Sequence, residues 1–565
     1  MISPRIVIHL PRIRPQVGGS STLLAFWVPR ILLAGVVVAC TAALTVQYVV
    51  LMRGYISDDA FISFRYATNL ADGLGPVWGT GDRVEGYTNF GWVLLMALSA
   101  KLGMDVVDTS RALGLIASAG TFALVPFLAA QLRPAWSGRW WLMVVGASAA
   151  LALNSGFALW TFAGLETTAQ LFLITAAIAL HLWEERRGAR PIWSAPVFVA
   201  AALIRPDAVV FWAITALHKG RRLLSRDWRS QLPGLIFWAA LFIAPYGGYW
   251  LWRWSYYGYF FPNTYYLKTE RSLSFFGRGW DYAWNFFTIY WAWLALASLV
   301  SIWRERRASY RPATYLLAVS ALWFAYVVYS GGDWMPYYRF FVSVLPILYV
   351  LMMHGAIDVI DLLGRKLAPR ALLFGAMAVI AVLVAFSALR PHDNGVAKQT
   401  VVFNSDILPG AVDFETQKAI GLWLRDNLPP DYTVAQIATG IVPYFSRLPT
   451  IDMLGVNDVH IAHLDSRLGP GPAGHEKQDG GYVVARQPEI IWLAINIEGE
   501  PRDVIDDYLP PRYPYPYPLN TAITKNAYTW FLYRPVAIPF GGAWLNLLVR
   551  NDVDIPALTA AQPRP

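Results

Sequence analysis

The stretch Ile31–Met52, ILLAGVVVACTAALTVQYVVLM, decides the fold class. It holds no charged side chain and no proline, and as a helix it spans a hydrocarbon core of about 30 Å. The thirty residues before it contain Arg5, Arg12, Arg14 and Arg30 and no acid. No small-residue cleavage site follows the apolar run, so the pattern reads as an uncleaved signal anchor with a cytoplasmic N-terminus.

Composition carries the membrane reading along the chain. Of 565 residues, 56% are hydrophobic and 15% charged, against about 25% charged in soluble domains. The net charge of +9 sits in short basic clusters at 184–190, 218–229, 304–311 and 364–370. Clusters between apolar runs mark cytoplasmic loops, and this placement argues against nucleic-acid binding. Cys40 is the single cysteine, which excludes an intrachain disulfide and a cysteine metal site.

Fixing the clusters inside orders the rest. Spans are expected at 31–52, 111–131, 140–154 and 167–183, then near 233–252, 280–303, 312–330, 338–360 and 371–389. Residues 191–217 must leave and return with too few residues for two full crossings, so two short helices should meet at Arg205-Pro206-Asp207. The total is about eleven crossings. A long first outer loop covers 53–110, and its apolar segment 89–103 suits a short interfacial or re-entrant helix. Residues 391–565 hold no run of spanning length. There, 411–428 has helical periodicity and ends before Pro429-Pro430, while TVAQIA, EIIWLAI and AYTWFLYR read as strands. The expected fold is an α-helical polytopic membrane protein over 1–390, with a C-terminal soluble α/β domain over 391–565 on the outer side. PRYPYPYPLN (511–520) reads as a stiff connection or a sugar-contacting edge.

The chemistry gathers in outward loops. A helix over 58–72 would put Asp58, Ile62, Arg65, Asn69 and Asp72 on one face and Ala60, Phe64, Ala67 and Ala71 on the other. That is an amphipathic helix lying on the membrane surface, with Asp58 and Asp59 at its N-terminal end. Carboxylates there either cap the helix, or accept a proton from a sugar hydroxyl, or hold a divalent cation. Glu85 and Glu166 are further outer acids, with solvation and helix capping as their plainer roles. Lys268 and Arg339 suit phosphate binding, or snorkelling for Arg339. Arg205 and Asp207 lie at membrane depth, where ionisable groups are costly and point to function or to a mutual ion pair. In the tail, His475 and Glu476 occupy a Gly-rich loop, and His460, His463 and Asp458 make a weak metal pattern.

SDDAFISFRYATNLADGLGPVW (57–78) followed by DRVEGYTNFGW (82–92) resembles the first outer loop of a bacterial family in the GT-C glycosyltransferase superfamily. Its best-known members are the terminal β-(1→2) arabinofuranosyltransferases of cell-wall assembly, and some relatives carry flagellar-motor-control labels. The resemblance extends to GLETTAQ, RPD, FPNTYYLK, GGDWMPYYRF, DMLGVND and GHEK. It implies a polyprenyl-phosphate sugar donor, arabinofuranose among the candidate sugars, and a cell-envelope glycan acceptor at the outer face of a bacterial inner membrane. Asp58 or Asp59 would be the base. Substrate contacts would come from Arg65, Glu85, Tyr87, Asn89, Glu166, Arg205, Asp207, Asn263, Lys268, Asp333, Arg339, His475 and Glu476. Some relatives use a divalent cation (Mg2+ or Mn2+), which Asp58, Asp59 and Glu85 would hold here.

Two other classes compete. A flippase for lipid-linked saccharides would distribute charge through its spans and often show an internal repeat, and Arg205-Asp207 fits the first point alone. A non-catalytic membrane scaffold for motility or assembly has no need of paired first-loop acids.

Overall fold

The computed structural model describes residues 20–52, 54–79, 81, 83–188, 192–224, 226–308, 310–363, 371, 374–379, 382–383, 414–494, 497–505 and 518–555. The helices run in chain order as α1 (Ser20–Leu51), α2 (Asp58–Ala71), α3 (Phe90–Lys101), α4 (Val106–Leu132), α5 (Gly138–Ala152) and α6 (Ser155–Phe162). Then come α7 (Thr167–Arg187), α8 (Ser194–Ile204), α9 (Ala208–Gly220), α10 (Trp228–Tyr257), α11 (Asn263–Lys268) and α12 (Leu273–Ile289). The set continues with α13 (Leu299–Glu305), α14 (Pro312–Tyr329), α15 (Arg339–Val342) and α16 (Leu345–Leu363).

The chain is a multi-pass membrane protein. Five helices among the described residues are long and apolar enough to cross: Trp27–Val50 within α1, then α4, α10, α14 and Leu345–Leu362. Two bent pairs raise this to seven: α5 with α6 at 62°, and α12 with Ala292–Glu305 at 74°. The sequence reading counts about eleven. Part of the difference is α7, whose apolar run is interrupted by three Thr, Gln170 and His181 and ends in Glu184, Glu185, Arg186 and Arg187. Part is the pair α8 and α9, short helices meeting at Arg205-Pro206-Asp207 as expected. The candidate span 371–389 lies mostly outside the described residues.

After this bundle, α17 (Phe414–Asn427) leads into a five-stranded sheet. Its strands are β1 (Val434–Gln436), β2 (Thr450–Asp452), β3 (Ile490–Trp492), β4 (Tyr533–Phe540) and β5 (Ala543–Arg550), in the order β2-β1-β3-β5-β4. The first three are parallel; β5 is antiparallel to β3 and to β4. Side chains from both faces of these strands are buried, Ala435, Ile491 and Leu548 on one and Val434, Ile490 and Val549 on the other. Continuous apolar runs such as EIIWLAI are what a doubly covered sheet requires.

Two expectations need correction. AYTWFLYR begins as the helix Ala527–Leu532, whose N-cap Asn526 accepts from Tyr528 N at 3.0 Å, and becomes strand only at Tyr533. The helix over 58–72 does form, as α2, but it does not lie on a surface: Ala60 to Asn69 are all buried. Its polar face finds backbone carbonyls in place of water. Asn69 Nδ2 donates to Val77 O at 2.8 Å, and Arg65 Nη2 donates to Leu448 O at 2.9 Å. Most of PRYPYPYPLN lies outside the described residues.

Candidate active site

α2 starts directly behind the first span and is pinned at its N-terminus. Ser57 N donates to Ala163 O at 2.9 Å. The approach is so close that a Cβ on Gly164 (φ +86°) would meet Ala60 Cβ at 3.0 Å, so only glycine supplies both the space and the left-handed backbone. Asp58 and Asp59 occupy the first turn, where the helix dipole favours anions.

The two acids then part. Asp58 accepts from Gly440 N at 3.0 Å and from Ile441 N at 2.7 Å, capping the short helix α18 (Ile441–Ser446). Burial pushes its carboxyl up to about 7, against the lowering effect of the two backbone donors. Asp59 is half-buried and makes no hydrogen bond or close ion pair among the described residues.

Asp59 belongs instead to a charged centre assembled from distant segments. Lys268, at the end of α11, feels the carboxylates of Asp59 and Asp333 and the guanidiniums of Arg339 and Arg205. His475 feels Asp59, Lys268 and Asp333. Burial pushes the Lys268 ammonium down against the pull of Asp59 and Asp333. Burial lowers His475 as well, which keeps its ring neutral at pH 7. Lys268 and His475 both retain partial solvent access, so the centre is a recess and not a sealed core. Lys268 has no hydrogen-bonding or ion-pair partner among the described residues, and its stem lies on Gly474, where a Cβ would come within 2.7 Å of Lys268 Cε.

Arg339 enters from α15. It gives only Nε to Asp333 (2.8 Å) and leaves both Nη groups without a partner among the described residues. Tyr337 and Tyr338 just before it have φ of +56° and +51°. Left-handed backbone costs a bulky residue about 1–2 kcal/mol. Trp160 Nε1, donating to Pro336 O at 3.2 Å, helps hold the turn.

Beneath this centre runs a continuous polar chain. Ser63 Oγ donates to Asn89 (3.0 Å), Asn89 Nδ2 to Glu166 (2.6 Å), and Arg205 Nη1 to Glu166 (2.8 Å). Arg205 also pairs with Asp207 at 3.1 Å; Asp207 accepts from Gln170, and Ser343 Oγ donates to Gln170 Oε1 at 3.2 Å. Two carboxylates on one guanidinium satisfy the buried cation. The break between α8 and α9 is thereby fixed to α7 and α2.

Other expected site residues are taken up by structure. Arg65 donates to Pro443 O and Leu448 O. Glu85 and Arg253 form a buried pair, with Arg253 Nε 2.8 Å from Glu85 Oε2; burial raises Glu85 and Arg253 opposes it. Tyr87 bonds Tyr257 at 3.0 Å. Asn263 Nδ2 donates to the carbonyls of Gly455, Val456 and Asp458, in a turn built around the buried Asp452. Glu476 accepts from Gly469 N, Gly471 N and Arg278.

These bonds bear on the metal expectation. Asp58 turns its two oxygens to the amides of Gly440 and Ile441, and Glu85 turns both of its oxygens to Arg253. No group of three or more His, Cys, Asp or Glu suited to a metal occurs among the described residues. In the tail, His460 pairs with Asp479 (2.9 Å), His463 stacks on Tyr266, and Asp458 caps the helix Val459–Ala462.

Sequence reasoning missed Arg253, Arg278, Gln170 and Trp334. Arg253 carried a usable signal, an ionisable group inside the apolar run WLWRWSYY. The role of Gly440 has no signal in sequence, because only the fold brings it to Asp58.

Architecture and site together define a multi-pass membrane protein with a charged recess between its helices and a C-terminal sheet. Within that class, the chain is similar to two terminal β-(1→2)-arabinofuranosyltransferases. The one from Corynebacterium glutamicum is 29% identical over 343 residues, 53% of this chain and 47% of the relative. The one from Mycobacterium tuberculosis is 27% identical over 284 residues, 48% and 43% respectively. The chain therefore spans about half the length of the curated relatives it matches. Residues 410–534 match a family described as a domain of unknown function (DUF8728). Among solved structures, ArnT from Cupriavidus metallidurans bound to undecaprenyl phosphate is similar at 15% identity and a TM-score of 0.44. That match covers 75% of this chain and 85% of ArnT. The oligosaccharyltransferase AglB from Archaeoglobus fulgidus is similar at 11% identity and a TM-score of 0.48, covering 75% and 65%.

Proposed function

We propose that this protein is a membrane glycosyltransferase that moves a sugar from a polyprenyl-phosphate donor to a cell-envelope glycan. The observation that carries the reading is Asp59 within electrostatic reach of Lys268: a carboxylate and an ammonium, both partly accessible and neither with a hydrogen bond or ion pair among the described residues. Asp59 takes the proton of an acceptor hydroxyl as its oxygen attacks the anomeric carbon. The bond from that carbon to the phosphate oxygen breaks, and polyprenyl phosphate leaves with the electron pair. The added negative charge on the phosphate meets Lys268 and the Nη groups of Arg339, where preorganised positive charge is most effective. A single displacement inverts the anomeric centre. Similarity to the two relatives favours arabinofuranose as the sugar.

In this reading residues 1–390 form the transmembrane catalytic part and 391–565 an extracytoplasmic domain, with the N-terminus in the cytoplasm of a bacterium and the recess at the outer leaflet. The test is transfer from a panel of synthetic polyprenyl-phosphate sugars by purified wild type and Asp59→Asn, with and without Mg2+ or Mn2+. Transfer by the wild type that disappears in the variant supports the mechanism; equal turnover in both would sink the base assignment. The break at Arg205-Pro206-Asp207 favours a second reading, a lipid-linked-saccharide flippase. Binding of lipid-linked sugar with no transfer from any donor would favour it.

A further inference from the structure

We propose that His475 reads a hydroxyl of the acceptor glycan through the lone pair on its Nε2, with Arg278 and Glu476 as its positioning residues. This rests on the transferase reading and adds to it the group that recognises the acceptor.

The tautomer follows from a single contact. Nδ1 of His475 lies 3.3 Å from the carbonyl oxygen of Ala473. A carbonyl can only accept, so Nδ1 carries the proton and Nε2 of the neutral ring is an acceptor. Nε2 has no partner among the described residues, and the side chain keeps partial solvent access in the recess with Asp59, Lys268 and Asp333. The ring is held edge-on by Trp334, with centroids 4.7 Å apart at 81°.

The loop that presents His475 is built for the purpose. Glu476 Oε1 accepts from Gly469 N (2.6 Å) and Gly471 N (2.9 Å), curling 469–476 around one carboxylate oxygen. Arg278 on α12 then joins two loops. Its Nη1 donates to Glu476 Oε2 (2.7 Å) and to Gly471 O (2.9 Å), and its Nε donates to Gly331 O (2.9 Å). Gly331 opens the segment that carries Asp333 and Trp334, so one guanidinium sets His475 against both.

The chemistry of Nε2 selects its ligand. A phosphodiester has no proton to give at neutral pH, so a neutral imidazole lone pair gains nothing from the donor's phosphate. A sugar hydroxyl donates readily. The donor's sugar carries hydroxyls as well; the loop belongs to the α/β part of the chain, away from the bilayer that holds the donor's tail, so the hydroxyl is assigned to the acceptor, and the donor KM separates the two sources.

The test uses the full chain in lipid nanodiscs, with a polyprenyl-phosphate sugar as donor and a synthetic oligosaccharide as acceptor. His475→Ala is expected to raise the acceptor KM roughly tenfold, as loss of one hydrogen bond to a hydroxyl would, and to leave the donor KM within about twofold. His475→Gln, whose amide oxygen is also an acceptor, should recover most of the loss. Arg278→Ala should raise the acceptor KM too, and add little in the His475→Ala background. A series of monodeoxy acceptors on the wild type should include one whose KM rises roughly tenfold. This arm holds even if the variant fails to fold. A rise in donor KM alone, unchanged constants in His475→Ala, or equal KM for every monodeoxy acceptor would each overturn the proposal. A wild type that transfers nothing would instead overturn the transferase reading beneath it.

Discussion

The backbone of Gly440 sits directly against Asp58: a Cβ at position 440 would lie 1.9 Å from the Asp58 carbonyl oxygen and 2.5 Å from its carboxyl carbon. The Asp58 carboxylate closes over the same point, accepting from Gly440 N and Ile441 N. One acid of the pair thus holds the C-terminal sheet region to α2, and the other is left for chemistry. The division gives the two residues separable phenotypes.

Asp59→Asn is expected to lower transfer by about a hundredfold or more, the usual scale of a lost general base, with little change in thermal stability. Asp58→Asn should lower transfer by less and shift the melting temperature down. Single-turnover transfer and thermal unfolding of the same preparations check both. The opposite ranking of rates would exchange the two roles.

Replacing Gly440 with alanine should destabilise by about 1–3 kcal/mol, as overpacking does. The nearest atoms are backbone and a short carboxyl stem, which have little room to give. Limited proteolysis near residue 440, together with a melting curve, reads the effect; native stability in Gly440→Ala would show that the contact is dispensable.

The raised Asp58 pKa ties this contact to pH. Its folded value of about 7 lies above the ordinary aspartate value of 3.8. The folded state therefore holds the proton more tightly, and the contribution is complete below about pH 4 and lost as pH rises through 7. Melting temperature between pH 5 and 8 should fall more steeply in wild type than in Asp58→Asn. Parallel curves would remove Asp58 as the source.

Lys268 acts in the other direction, on the donor. Its ammonium is lowered from 10.5 by burial, so it loses charge at a lower pH than an ordinary lysine. The donor KM should rise in alkaline buffer below pH 10.5, and Lys268→Arg should flatten that rise. Lys268→Ala should raise the donor KM at every pH; a change confined to the acceptor KM would refute the phosphate role.

Glu85 and Arg253 offer a control away from the chemistry. Both side chains are buried, and removing one partner leaves an uncompensated charge, at a cost of about 3–5 kcal/mol. Glu85→Gln or Arg253→Met alone should greatly reduce the yield of folded protein, and the double variant should recover part of it. Yield by fluorescence-detected size-exclusion chromatography measures this.

Much of this was legible in the sequence. The apolar run at 31–52, the short helix pair around Arg205-Pro206-Asp207 and the helix after Asp58 are local patterns, and each forms where periodicity and breakers put it. What sequence could not supply were pairings across hundreds of residues. Arg65 looks solvated because its carbonyl partner, Leu448, lies 383 positions further along the chain. For the same reason Glu85 reads as a loop acid until Arg253 is seen beside it, and Glu476 as a site residue until Arg278 is.

The capping of α18 by Asp58 joins residues 382 positions apart in the chain. During synthesis at ~5–20 residues per second, Gly440 emerges roughly 20 to 80 seconds after Asp58. For that interval Arg65 on the buried polar face of α2 waits without its later partners, Pro443 O and Leu448 O. Assembly of the recess is therefore a late event in biogenesis, and a chain stalled before residue 440 would carry its membrane helices with its reactive carboxylates still unplaced.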